Sequence, residues 1–240
     1  MAESAGEGRP SGYGPAVDIV ALGKLFVAGA AGLAVSLAVS HWWRDPRRRS
    51  RRLLARAEQK PLAAISEGER ARVHGVVLRG AQMLEAPFTG RRCVAYRIVA
   101  EVWEQEDGWR EVAASESSAP FALASEGVEA RVEGPFLVGL EYDARSEDEP
   151  ELSPRVAATY RRLGIELTDS WDRPRRLRFR EAALEPGDPI WVLGRASVVV
   201  DPSGRRESPR GQPVKRVIRG TKREPVVIAD EDAPGLPAIA

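Results

Sequence analysis

The chain has 240 residues, 36 of them basic and 35 acidic, for a formal net charge of +1. That balance excludes a global attraction to nucleic acid. One cysteine and two histidines exclude an intramolecular disulfide and a multi-cysteine zinc site.

Residues 1–18 read as a disordered N-terminal tail. The next segment, "IVALGKLFVAGAAGLAVSLAVSHWW" (residues 19–43), is apolar apart from Lys24 and small interruptions. At 1.5 Å per residue it spans roughly 37 Å as a helix, longer than a hydrocarbon core of about 30 Å. Trp42 and Trp43 fall where an interfacial aromatic belt belongs. The segment is therefore expected to be a single transmembrane helix. Ala28, Gly32, Ser36 and Ser40 recur every fourth residue and form a possible helix-pairing face.

Residues 44–60, "RDPRRRSRRLLARAEQK", carry eight basic and two acidic side chains. Residues 1–24 carry a net −1, so the positive charge follows the apolar segment instead of preceding it. This argues against a cleaved signal peptide. By the positive-inside rule the N-terminus is translocated and the rest of the chain stays cytoplasmic. Arg44, Arg47, Arg48, Arg49, Arg51 and Arg52 are the expected contacts to anionic lipid headgroups. The remaining residues 61–240 hold 26 basic and 30 acidic side chains, a mildly acidic soluble portion.

That portion, 61–229, is expected to be mainly β. Residues 71–80 alternate around Val73, Val76 and Leu78, and 91–103 read as one long strand. An Asp-Gly turn at 107–108 leads to a hairpin partner at 109–117. Two short strands follow, in "PFALAS" and "VEARVEG". Residues 190–201 and 224–230 complete the strands. One short inserted helix is expected after Ser153 as N-cap, with Pro154 at its first turn and Gly164 past its end. Val156, Tyr160 and Leu163 share its apolar face. The acidic run 146–151 and the stretch 201–213 read as loops, and 230–240 as a disordered tail. A weak internal echo links "GERARVHG" (68–75) with "GDPIWVLG" (187–194). It suggests two strands that enter one barrel-like or OB-like sheet in the same way.

The stretch "LEAPFTGRRCVAYRIVAE" (84–101), then Trp109, "PFAL" (120–123) and "EAALEPGDPIWVLGR" (181–195) resemble the bacterial members of the GIDE-domain family. The family's membrane-flanked β domain is also called BAM, for beside a membrane, and it is named for a mitochondrial E3 ubiquitin ligase. The resemblance covers roughly residues 62–200. Its signature residues here are Pro87, Phe88, Thr89, Gly90, Cys93, Tyr96, Gly187, Asp188 and Gly194. It implies a membrane-anchored β domain in a bacterial inner membrane, with these residues in structural roles. The ligases of the family also carry a C-terminal RING, which folds around zinc held by Cys and His. This chain has neither residue after position 93, so ligase chemistry does not carry over.

Catalytic motifs are sparse. The chain contains no Walker loop, no GxSxG and no HExxH. Cys93 as a nucleophile would require a base within reach, and His74 is the candidate. A free cysteine otherwise behaves as a small buried hydrophobe. No cofactor and no metal is expected. The sequence thus points to a non-catalytic interaction module on the cytoplasmic face of a membrane. Its expected partners are the bilayer, anionic headgroups, and an unknown protein or a second copy of the chain, with no specific nucleic acid. The alternative is an enzyme using Cys93 with His74.

Overall fold

The computed structural model describes residues 45–146, 152–200 and 214–232. The expected membrane helix, its pairing face and Arg44 lie outside these residues, as do the acidic run 147–151 and most of the tail. Among the described residues no helix is long and apolar enough to cross a membrane. All of them belong to one compact unit that begins at Asp45.

The elements in chain order start with helix α1 (Pro46–Arg56), then β1 (Arg70–Leu78), β2 (Leu84–Glu85), β3 (Arg92–Cys93), β4 (Ala95–Glu104) and β5 (Gly108–Ser118). They continue with β6 (Phe121–Ser125), β7 (Val128–Glu133), β8 (Phe136–Val138), β9 (Ala144–Arg145) and helix α2 (Pro154–Arg162). The last are β10 (Leu177–Leu184), β11 (Pro189–Val200), β12 (Val214–Arg219) and β13 (Val226–Asp230). The domain is mainly β, as expected.

Five strands close into a barrel in the order β1-β6-β7-β12-β11, with β1 returning to pair with β11. All its neighbours are antiparallel except β7 and β12. The barrel core holds Val73, Leu123, Val132, Val192 and Ile218, all essentially inaccessible. Period-two alternation places these side chains inside. Each contributes roughly 1.5–3 kcal/mol relative to an exposed position. Beyond the barrel, β13 pairs with the first half of β11, and β8 runs parallel beside β13.

The echo noted in the sequence lies at the barrel seam. Val73 and Val192 are equivalent in the two segments and are direct partners in the β1–β11 ladder. Each segment's opening turn also bonds the far end of the other strand. Gly68 N–H donates to Ala196 O at 2.9 Å, and Gly187 N–H donates to Val77 O at 2.8 Å.

Chain inserted between β1 and β6 and between β7 and β11 builds a second sheet, ordered β5-β4-β10-β9. Ile98, Ala100, Val102, Leu177 and Phe179 turn one face toward α2, where Tyr160 is fully buried. The sequence reading of α2 holds in detail. Ser153 Oγ accepts from Val156 N–H at 3.3 Å, and Val156 and Leu163 pack on this core.

Four elements differ from expectation. The strand predicted over 91–103 breaks at Val94, whose side chain turns into the barrel core while its N–H bonds Leu184 O at 2.8 Å. Cys93 therefore belongs to a two-residue ribbon with Leu84, not to the long strand. The basic segment 44–60 contains α1, a folded part of the domain. Asp45 caps it, and Leu54 packs among Leu137, Trp191, Leu193 and Val227. Strands β10 and β12 were not read from the sequence at all.

Candidate functional site

The signature turn follows from one buried carboxylate. Glu181, on β10, is fully inaccessible. Its oxygens accept from Phe88 N–H at 2.8 Å and Thr89 N–H at 3.2 Å, and from the Thr89 hydroxyl. Pro87 O accepts from Thr159 Oγ1 at 2.8 Å, so α2 grips the same turn. The Phe88 ring stacks on Phe179 at 4.2 Å between centroids and meets Tyr160 edge-on. Gly90 sits at φ +78°, and a Cβ there would lie 2.7 Å from the Arg155 guanidinium. The Phe88 and Thr89 N–H groups, the Thr89 hydroxyl and Pro87 O thereby hold the two inserted segments together.

Cys93 is fully buried beside Ala86 and Ala183, with Leu84 and Tyr96 packed around them. Burial, reinforced by the Glu181 carboxylate, pushes its thiol up to about 11. This environment opposes thiolate formation. His74 points elsewhere. Its ring lies 5.0 Å from that of Trp191, and Nε2 is 3.6 Å from Glu231. Burial lowers its pKa, an effect Glu231 partly offsets.

The remaining signature residues are also structural. Asp188 accepts from Glu185 N–H at 2.7 Å in the turn that Gly187 opens at φ +103°. A Cβ on Gly194 would come within 2.3 Å of Ile218, so the barrel closes tightly there. The arginines expected at lipid headgroups divide into two groups. Arg47 and Arg51 both bond Glu141, whereas Arg48 and Arg49 are exposed.

A second candidate emerges on the face of the β4–β10 sheet opposite α2, where arginines and aromatic rings alternate. Arg178 Nε donates to Glu101 at 2.7 Å and Arg180 to the other carboxylate oxygen at 3.1 Å. The Arg178 guanidinium lies over Trp109 at 4.3 Å, and that of Arg176 over Trp103 at 4.8 Å. The two indoles meet edge-to-face, 5.5 Å apart. Further along, Arg47, Arg97 and Arg180 surround the Tyr142 ring at 4.8, 5.5 and 5.0 Å. Burial nevertheless raises the Tyr142 hydroxyl above its ordinary pKa. Sequence reasoning missed this face. The signal was present in "RRLRFRE" (175–181), where arginines alternate with apolar residues at the period of a strand.

Among the described residues no group of three or more His, Cys, Asp or Glu side chains is arranged to hold a metal. No family model and no curated protein matches the chain.

Proposed function

We propose that the chain is a membrane-anchored, non-catalytic interaction module whose β domain lies on the cytoplasmic face. The observation that carries this reading is the apolar segment 19–43, followed at once by the arginine run that opens the folded domain. The geometry of the β domain supports a binding role. The polar groups of its signature turn are consumed in structural bonds, and the basic aromatic face is displayed on a rigid sheet. The barrel order, with a single parallel pair, supports an OB-like reading, an architecture that serves binding. The resemblance to the GIDE/BAM family agrees with a domain placed beside a membrane.

Two measurements test the proposal. A reporter fused after Ala240 should be active in the cytoplasm and inactive when read for periplasmic exposure. The full chain should sediment with membranes and resist extraction by alkaline carbonate. A periplasmic reporter signal overturns the orientation, and release by carbonate overturns the anchor.

A further inference from the structure

The turn that precedes β10 displays the most exposed large apolar side chain among the described residues. Trp171 keeps 79% of its surface in solvent, against 46% for Val198, the next in order. Single exposed apolar residues are ordinary on a protein surface. This one is different because the chain around it is built to hold it still. Asp169 Oδ1 accepts from Trp171 N–H at 2.8 Å and from Arg173 N–H at 3.0 Å, and Oδ2 accepts from Arg173 Nε at 2.9 Å. Backbone bonds close the turn beneath. Asp169 N–H donates to Arg173 O at 2.9 Å, Asp172 N–H to Asp169 O at 3.0 Å, and Arg175 N–H to Leu167 O at 2.8 Å. Asp172 adopts φ +58° to complete it.

We propose that Trp171 is a second membrane contact, its indole entering the interfacial layer of the bilayer to which the chain is tethered. The contact rests on the membrane-anchored reading above and adds an orientation of the β domain to it.

The chemistry of the tip fits that layer. An indole has an apolar body and one N–H donor, the combination that settles at the boundary between hydrocarbon and headgroups. Residues 167–177 carry three arginines and two aspartates, and Asp169 is already paired with Arg173. A nearly neutral tip needs no anionic lipid. Its place in the fold also fits. The folded unit begins at Asp45, whose carboxylate lies 3.6 Å from Arg97. From Arg97, β4 runs six residues on to Trp103, roughly 20 Å of strand. Trp103 N–H donates to Arg176 O at 3.0 Å, just past the base of the Trp171 turn, and the Trp103 side chain is itself 37% exposed. The tip therefore stands well along the sheet from the point of attachment. Contact at both places holds the domain along the bilayer, where one tether leaves it free to swing.

A single indole, burying about 150–250 Å² at most, is too little to recruit a free protein to a membrane. On a tethered domain the same contact is an intramolecular step and needs far less. The bonded turn reduces the ordering cost further.

The test places the full chain in discs of zwitterionic lipid, with and without brominated acyl chains that quench indole fluorescence. Subtracting the spectrum of Trp171→Ser from that of the parent isolates Trp171 from the other five tryptophans. Trp171→Gln serves as a second reference, and both should melt as the parent does. The Trp171 emission should be blue-shifted and should lose most of its intensity in brominated discs. It should keep that behaviour at about 1 M salt, where charges are screened beyond about 3 Å. Water-like emission that brominated lipid leaves unchanged overturns the proposal. Blue-shifted but unquenched emission also overturns it, because the indole then sits in a protein, a second copy included. Quenching that disappears in high salt overturns it as well, since charge and not the indole then holds the domain down. Flotation reports separately whether the chain enters the discs; a chain that stays out refutes the anchor itself, and this contact with it.

Discussion

Glu181 is the most informative residue to perturb, because its three bonds join the two inserted segments. Glu181→Ala removes the shared acceptor and leaves the Phe88 and Thr89 backbone N–H groups without a protein partner, the first of them buried. Bonds to charged groups are worth about 1.5–3 kcal/mol each, and each stranded N–H costs about 1–3 kcal/mol. Because these terms overlap, the expected loss is about 3–6 kcal/mol, a large share of the roughly 5–15 kcal/mol available to a typical domain. At about 2–4 °C per kcal/mol, a loss near 4 kcal/mol lowers the melting temperature by roughly 8–16 °C. Glu181→Gln keeps one acceptor oxygen but turns an amide donor toward a donor, so it should fall between the two. Thr89→Val should cost about 1 kcal/mol alone and almost nothing further in the Glu181→Ala background, since its partner is already gone. Thermal and urea denaturation of the four proteins completes the cycle. A Glu181→Ala variant that melts within about 2 °C of the parent, or a Thr89→Val effect that simply adds, refutes the view that this carboxylate organises the turn.

Cys93→Ala should retain partner binding and lose on the order of 1–2 kcal/mol of stability. In the parent, thiol reagents at neutral pH should react only as fast as the domain opens; rapid labelling would show a reactive thiolate. Asp230, held up to about 7 mainly by burial, makes the opposite of the usual carboxylate contribution. It binds its proton more tightly in the folded state, so its share of stability is present at low pH and is lost as pH rises from about 4 through 7. Asp230→Asn should therefore be more stable than the parent at pH 8 by on the order of a few kcal/mol, with the gap closing by about pH 4. Equal melting temperatures at pH 8 would sink that assignment. For the apolar segment, Gly32→Leu should abolish self-association in a membrane dimerisation assay without reducing insertion. Unchanged association leaves the helix as a passive anchor.

The strands that were legible in the sequence carry strong local signals. β4 and β5 meet at an Asp-Gly turn, β6 and β7 turn at Glu126-Gly127 with both residues at positive φ, and α2 has its cap, proline and glycine in place. What was not legible depends on distant partners. β10 reads as an arginine-rich stretch until β4 supplies Glu101 opposite Arg178. β12 reads as basic linker because Lys215, Arg216 and Arg219 break up its apolar residues, and Ile218 finds its burial only inside the barrel. α1 shows how composition misleads. Six of its eleven residues are arginine, yet Ser50 and Leu54, four apart, are both fully buried and dock it onto β8, β11 and β13. The role of Glu181 was equally hidden, because nothing local links an acid in β10 to a turn 92 residues earlier.

The reciprocal latch at the barrel seam has a consequence for the timing of assembly. β1 leaves the ribosome early, but the partner for most of its length, β11, follows 119 positions later. At about 5–20 residues per second, that interval lasts roughly 6–24 s. The β6–β7 hairpin emerges sooner, yet β6 covers β1 only at Val76–Leu78. Over residues 70–75 the side of β1 that β11 will take thus stays open for the interval, the kind of strand edge that recruits foreign strands. A chain stalled or cut between β7 and β11 has no means of covering that edge, and a fragment that begins after β1 leaves the matching side of β11 bare. Each half of the echo protects the other only when both have been made.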